Sequence, residues 1–140
     1  MDTFLSPEFL KFFLPLAGGV IAWFFNEKRK RTWEEYQRKE ERYRELLRTL
    51  KGFYVETHDT ALKQAFIEQL KLCWLYCPDE VIKRGYVFLD TVHAARKSSD
   101  EEKLTAIGNF IVSIRTDLLS RTITRKSNLK GQDFRHLHAT

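Results

Sequence analysis

The chain has 140 residues, which allows one compact domain. Hydrophobic residues make up 43% and charged residues 31%, so most of the chain can fold in water. The net charge is +5, but it is unevenly placed. Asp2, Glu8 and Lys11 are the only charges in the first 25 residues, and the other 23 basic and 17 acidic side chains give residues 26–140 a net +6. That surplus fits an anionic partner, either phospholipid or nucleic acid, without choosing between them.

The first element is the run Phe9–Phe25, FLKFFLPLAGGVIAWFF. Its 17 residues extend about 25 Å as a helix, the short end of a membrane span. Residues from Leu5 lengthen it if Lys11 snorkels toward the headgroups. Trp23 lies near the far end, where interfacial aromatics belong. A secretory signal peptide would need a basic start and a small-x-small cleavage site, and neither is present. A buried core helix this rich in Phe suits a larger domain. A helix lying in the membrane plane needs a polar stripe, which is missing. Lys28, Arg29, Lys30 and Arg31 follow the run directly. Four consecutive cations are expected on the cytoplasmic side and can bind anionic lipid headgroups. The expected location is the bacterial inner membrane, N-terminus out and C-terminal domain in the cytoplasm.

Lys11, Pro15, Gly18 and Ala22 fall at i, i+4, i+7 and i+11, one narrow face of this helix. Small residues there let helix backbones approach closely, as Gly18-x-x-x-Ala22 does. Repeated in a ring, the Lys11 face would line a polar pathway, because ionisable residues in a membrane usually face protein or water. The plainer reading is a snorkelling Lys11 and a Pro-Gly kink with no further role.

No Gly or Pro lies between Val20 and Lys51, so the span is expected to continue as helix through residues 26–51. Trp33, Tyr36, Tyr43, Leu47 and Leu50 recur at helical spacing, with Leu46 widening the stripe. Glu34–Arg38, Glu35–Lys39 and Glu40–Arg44 are i,i+4 pairs of the favoured order. Aromatics interleaved with Arg and Lys also suit RNA, but regular Glu pairing points to a solvated face. Gly52 is the expected stop. Asp59 should cap a second helix over 60–77, with Leu62, Ala65, Phe66, Leu70, Cys73, Trp74 and Cys77 as its apolar set. Pro78 opens a third helix over 78–97. Ser99 and Glu102 form a capping box for a fourth, over 100–121, through Leu104, Ile107, Ile111, Ile114, Leu118 and Leu119. No alternating strand pattern appears.

The expected fold is therefore all-α: an N-terminal transmembrane helix continuing into a cytosolic antiparallel helix bundle. The expected divisions are a transmembrane segment 1–27, a cytosolic bundle 28–121 and a basic C-terminal tail 122–140. Leu129, Phe134 and Leu137 are candidates to dock that tail.

Chemistry-bearing motifs are scarce. There is no Gly-rich phosphate loop, no Cys-x-x-Cys and no His-Glu-x-x-His. His58, His93, His136 and His138 are scattered, and no metal site or cofactor is expected. Cys73 and Cys77 share an apolar face and read as small buried side chains. The most suggestive element is Ser113-Ile114-Arg115-Thr116-Asp117-Leu118-Leu119. Arg115 and Asp117 flank a strongly apolar face and are candidate functional residues. Arg115 could pair with an acidic residue of a neighbouring helix or bind a phosphate, and a solvated or interhelical salt bridge is the plainer reading.

The N-terminal span, the basic helix NEKRKRTWEEYQRKEERYRELL and a bundle ending in Ile-Arg-x-Asp-Leu together resemble the small single-span membrane accessory proteins beside prokaryotic antiviral systems, those of the Cas13b-type CRISPR loci. The resemblance implies a homo-oligomeric ring whose spans form a pore that depolarises the cell during phage infection. It also implies a bundle like that of HEPN ribonucleases. Those carry Arg-x4-6-His, whereas residues 120–122 after Arg115 are Ser, Arg and Thr, and Arg96 has no such His either. A non-enzymatic membrane effector is therefore expected, with lipid and further copies of the chain as partners. Its alternatives are a membrane-tethered module that recruits RNA or a protein, and a degenerate ribonuclease.

Overall fold

The computed structural model describes residues 7–54, 59–93, 96–120 and 126–135. Among these the chain is all-α, without strands. Helix α1 spans Pro7–Thr49, α2 Thr60–Leu72, α3 Asp79–Val92 and α4 Asp100–Ser120. Short 3-10 turns follow α1 (Leu50–Phe53) and α2 (Cys73–Leu75), and a third lies at Gly131–Asp133. The chain divides into two compact units, Met1–Glu35 and Tyr36–Thr140, and α1 contributes to both.

In the first unit α1 is continuous through Pro15 and the basic cluster, as the absence of breakers after Val20 predicts. An 18-residue window is long and apolar enough to cross a membrane, and none of it is buried within the chain. Phe12 is 82% exposed, and Leu14, Leu16, Val20, Ile21, Trp23, Phe24 and Phe25 are exposed as well. Trp33, which spacing places on the same apolar stripe as Tyr43, is exposed too.

In the second unit the caps form as expected. The Asp59 carboxylate accepts from the N–H groups of Ala61 and Leu62 at 3.0 and 3.1 Å. Ser99 and Glu102 exchange two 3.2 Å bonds, each side chain accepting from the other's N–H. Two helix ends differ from expectation. α2 stops at Leu72 and tightens into a 3-10 turn, so Cys73 and Cys77 are not on one regular helix. The Cys77 N–H donates to the Cys73 carbonyl at 2.7 Å and closes the turn. Pro78 enforces this, because its ring disfavours helical backbone at the preceding residue. Pro78 itself caps α3 in extended backbone rather than opening it. α3 ends at Val92, not at residue 97, because His93 turns extended.

The core is an aromatic cluster with one Phe from each packing element. Phe53 meets Phe66 and Phe88 edge-on, with ring centroids 5.4 Å apart in both pairs. Phe66 also meets Phe88 at 5.8 Å and Phe110 at 6.0 Å, again edge-on. Such pairs contribute about 0.5–1.5 kcal/mol each beyond area burial. Tyr43, Leu46 and Leu50 bring the end of α1 into this core, and Leu70, Val81, Ile82 and Ile114 complete it.

The inward face of α4 differs from the predicted one. Ala106, Phe110, Ser113, Ile114 and Asp117 point inward, while Leu104, Ile111 and Leu119 are exposed. Ile107 and Leu118 are only partly buried. The helix is apolar on two sides, so its period does not select a face. Phe110 decides it, because it completes the aromatic cluster.

Gly52 is buried in the 3-10 turn, where it is more than a stop signal. A Cβ there would lie 2.6 Å from the Leu62 Cβ and 3.0 Å from the Lys63 nitrogen. These atoms belong to or adjoin the α2 backbone and cannot swing away. Gly52→Ala should therefore lower stability by about 1–3 kcal/mol. The urea midpoint of the full chain in detergent micelles will check this.

Candidate functional site

Two places carry polar chemistry. The first is the face of α1 that bears Lys11, Pro15, Gly18 and Ala22, all exposed. A Cβ at Gly18 would meet nothing within 4 Å. Pro15 has no N–H, so the Lys11 carbonyl, four residues back, lacks its helical donor. One face thus combines an ammonium, a freed carbonyl and small side chains. In lipid such a carbonyl needs a neighbouring helix, a side chain or water. Next along α1, Lys28, Arg29, Lys30 and Arg31 are exposed. Arg31 Nε donates to Glu27 Oε1 at 3.1 Å. Lys28 and Arg29 border a shallow recess with Ala22, Phe25, Asn26 and Thr32. Cationic heads beside aromatic and methyl groups match the layering of a bilayer interface.

The second place is built around Asp117, in the second unit. The residue is 2% exposed. Its Oδ2 accepts from the Tyr43 hydroxyl at 2.6 Å and forms an ion pair with Lys39. Lys39 therefore binds across to α4, where spacing assigned it to Glu35. Glu40–Arg44 does form as expected, at 2.9 Å. The Cys77 thiol lies beside Tyr43 and Cys73, and the Cys73 thiol donates to the Tyr76 hydroxyl at 3.8 Å. Burial is the main reason that Tyr43 and Cys77 are pushed far above their usual ranges, so both stay protonated. Cys77 is thus an unreactive thiol. Arg42 stacks over Tyr76, 4.6 Å from its ring centre.

Asp117 Oδ1 is buried and has no hydrogen-bond partner among the described residues. Asp117 lines a cleft of about 570 Å³ whose walls also include Lys39, Cys77, Lys83, Lys126 and Ser127. The cleft therefore carries several ammonium groups beside a buried carboxylate. Arg115, two residues from Asp117, is exposed and lies outside this cleft. Sequence spacing marked both residues but did not separate them. The missed members are Lys39 and Tyr43, four residues apart on α1. The one available signal was that a Tyr on an apolar stripe needs a polar partner when buried.

The C-terminal segment docks against α3. Asp79 accepts from the Ser127 hydroxyl at 2.6 Å and from the Asn128 N–H at 2.7 Å. Phe134 meets Trp74 edge-on at 5.3 Å, and Arg135 pairs with Asp90 at 3.0 Å. Leu129 packs on the core, as expected of it, while Leu137 and His58, His136 and His138 lie outside the described residues. The described residues contain no group of three or more His, Cys, Asp or Glu side chains able to hold a metal.

Two expectations follow. Lys39→Met would leave the Asp117 charge buried without its counter-ion. It should cost about 3 kcal/mol, the low end for a broken buried pair, because water still reaches part of Lys39. Adding Asp117→Leu should recover much of that loss, and a double-mutant cycle of urea midpoints checks both. The second concerns Asp79. Desolvation pushes its carboxyl up, but the Ser127 and Asn128 bonds outweigh this and hold it below the usual range. Its stabilising contribution is then fully present above about pH 4 and is lost as pH falls through the lowered value. Asp79→Asn should flatten that part of the acid titration of stability.

Comparison with protein-family models, with characterised proteins and with solved structures found no match to this chain.

Proposed function

We propose that the chain is a membrane-anchored oligomeric effector whose N-terminal helix forms, or gates, a membrane pore. The observation that carries this reading is the unburied apolar helix with its one polar, small-residue face. Water is a poor solvent for that helix and lipid a good one. Lipid cannot satisfy the Lys11 ammonium or the carbonyl freed by Pro15, but a ring of such helices around a wet pathway can. Gly18 and Ala22 let the helices approach closely enough to close the ring. Lys28 to Arg31 orient the span, with the helical domain on the cytoplasmic side and the cations against anionic headgroups. The resemblance to the accessory proteins of Cas13b-type CRISPR loci supplies the setting, defence against phage. In this reading the helical domain is an antiparallel bundle and no catalysis is needed.

The cleft beside Asp117 favours a second reading, a tethered module that recruits RNA or a protein. Its lysines suit an anionic or polar ligand.

Dye release from vesicles carrying the purified full chain separates the two. Wild type should release dye, and Lys11→Leu or Gly18→Leu should abolish most of the release. No release by wild type, or full release by both variants, removes the pore. In the second reading, Lys83→Glu with Lys126→Glu should remove RNA or partner binding and leave dye release unchanged.

A further inference from the structure

The outer face of α4 has no function in either reading, yet it is not an ordinary solvated surface. Leu104 and Leu119 are 64% and 67% exposed, and Ile111 and Val112 are exposed as well. At 100° per residue these four lie on one stripe, opposite the inward Phe110 and Asp117. Gly108 sits at the centre of the stripe, and a Cβ there would meet nothing within 4 Å. Glu101 and Arg115 lie on the same stripe, seven residues before and seven after Gly108. Each is exposed, and neither has an ion-pair partner among the described residues. The described part of the C-terminal segment is committed to α3 and Trp74, so it does not cover this face.

We infer that this face binds the same face of a second copy of the chain, with the two α4 helices antiparallel and crossing at Gly108. The spacing is self-complementary. A two-fold axis at Gly108 sets Glu101 of each copy opposite Arg115 of the other, about 10 Å from the crossing on either side. The same axis sets Leu104 opposite Val112, also twice. Gly108 faces its own counterpart and allows the axes to approach to the close end of the usual 8–10 Å. A parallel pairing would instead set Glu against Glu and Arg against Arg. An anionic membrane fits less well, because Glu101 sits within the stripe and would be repelled by it. The contact is closed and pairwise, and it does not depend on whether the span conducts.

Cysteine trapping in the full chain, held in detergent micelles, tests this. Gly108→Cys should give a covalent dimer on mild oxidation, and Asn109→Cys, which faces elsewhere, should not. Wild type gives the background from Cys73 and Cys77. Adding Glu101→Arg or Arg115→Glu to Gly108→Cys should lower the trapped yield about tenfold or more, since two contacts become repulsive at once. Adding both together should restore it. Equal trapping from positions 108 and 109, no effect of either single reversal, or no recovery with both would overturn the inference. So would trapping that requires anionic vesicles, which would assign the face to lipid. None of these outcomes reads permeability, so a failed dye-release test leaves the inference standing or falling on its own.

Discussion

A buried carboxylate sets the terms for the helical domain. Asp117 sits on α4 among apolar neighbours, where an unpaired charge is untenable. Lys39 and Tyr43 answer it from α1, one turn apart, so the last turns of α1 must face α4 in a single rotation. Hydrophobic burial alone would tolerate several rotations of an aromatic-rich helix, whereas a directional bond to one oxygen does not. The same demand gives the buried Tyr43 hydroxyl its acceptor, while burial keeps the neighbouring Cys77 an inert thiol. The second oxygen of Asp117 is buried without a partner among the described residues, and the residue lines a cleft with several lysines.

The two units treat their aromatic side chains differently. The second unit buries Phe66, Phe88 and Phe110 with Phe53 packed against them. The first unit leaves its own Phe residues and Trp23 uncovered. Apolar surface on that scale is stable only where the surroundings are apolar too, which is the physical basis for reading α1 as a membrane helix. Within it the polar features are confined to one face. That face, with Lys11, Pro15, Gly18 and Ala22, is the one on which the proposed packing against further copies rests.

α4, in the second unit, also carries apolar side chains on an uncovered face. Its inner face is fixed by Phe110 and Asp117, and its outer face carries Leu104, Ile111, Val112 and Leu119. An all-round apolar helix is normally fully buried. Here only one side is covered by the described residues, and the other side has Glu101 and Arg115 placed symmetrically about Gly108. Arg115 thus belongs to the surface and Asp117 to the interior, although the two stand two residues apart.

The sequence by itself determined what depends on local rules. The unbroken α1, the Asp59 cap, the Ser99–Glu102 capping box and the limits of α4 follow from backbone donors that need partners and from the absence of breakers. The exposed cations after the apolar run were equally legible, because they follow from composition alone. The early end of α2, the partner of Lys39, the inward face of α4 and the close packing at Gly52 were decided only in the tertiary structure. Each depends on residues far apart in the chain. Pairing at i,i+4 offered Lys39 a glutamate of a few tenths of a kcal/mol, and a buried aspartate 78 positions away outweighed it. The period of α4 allowed two faces, and which one met Phe66 and Phe88 depended on where those rings had been brought. Local propensity is read along the chain, but burial is assigned only after the chain has closed on itself.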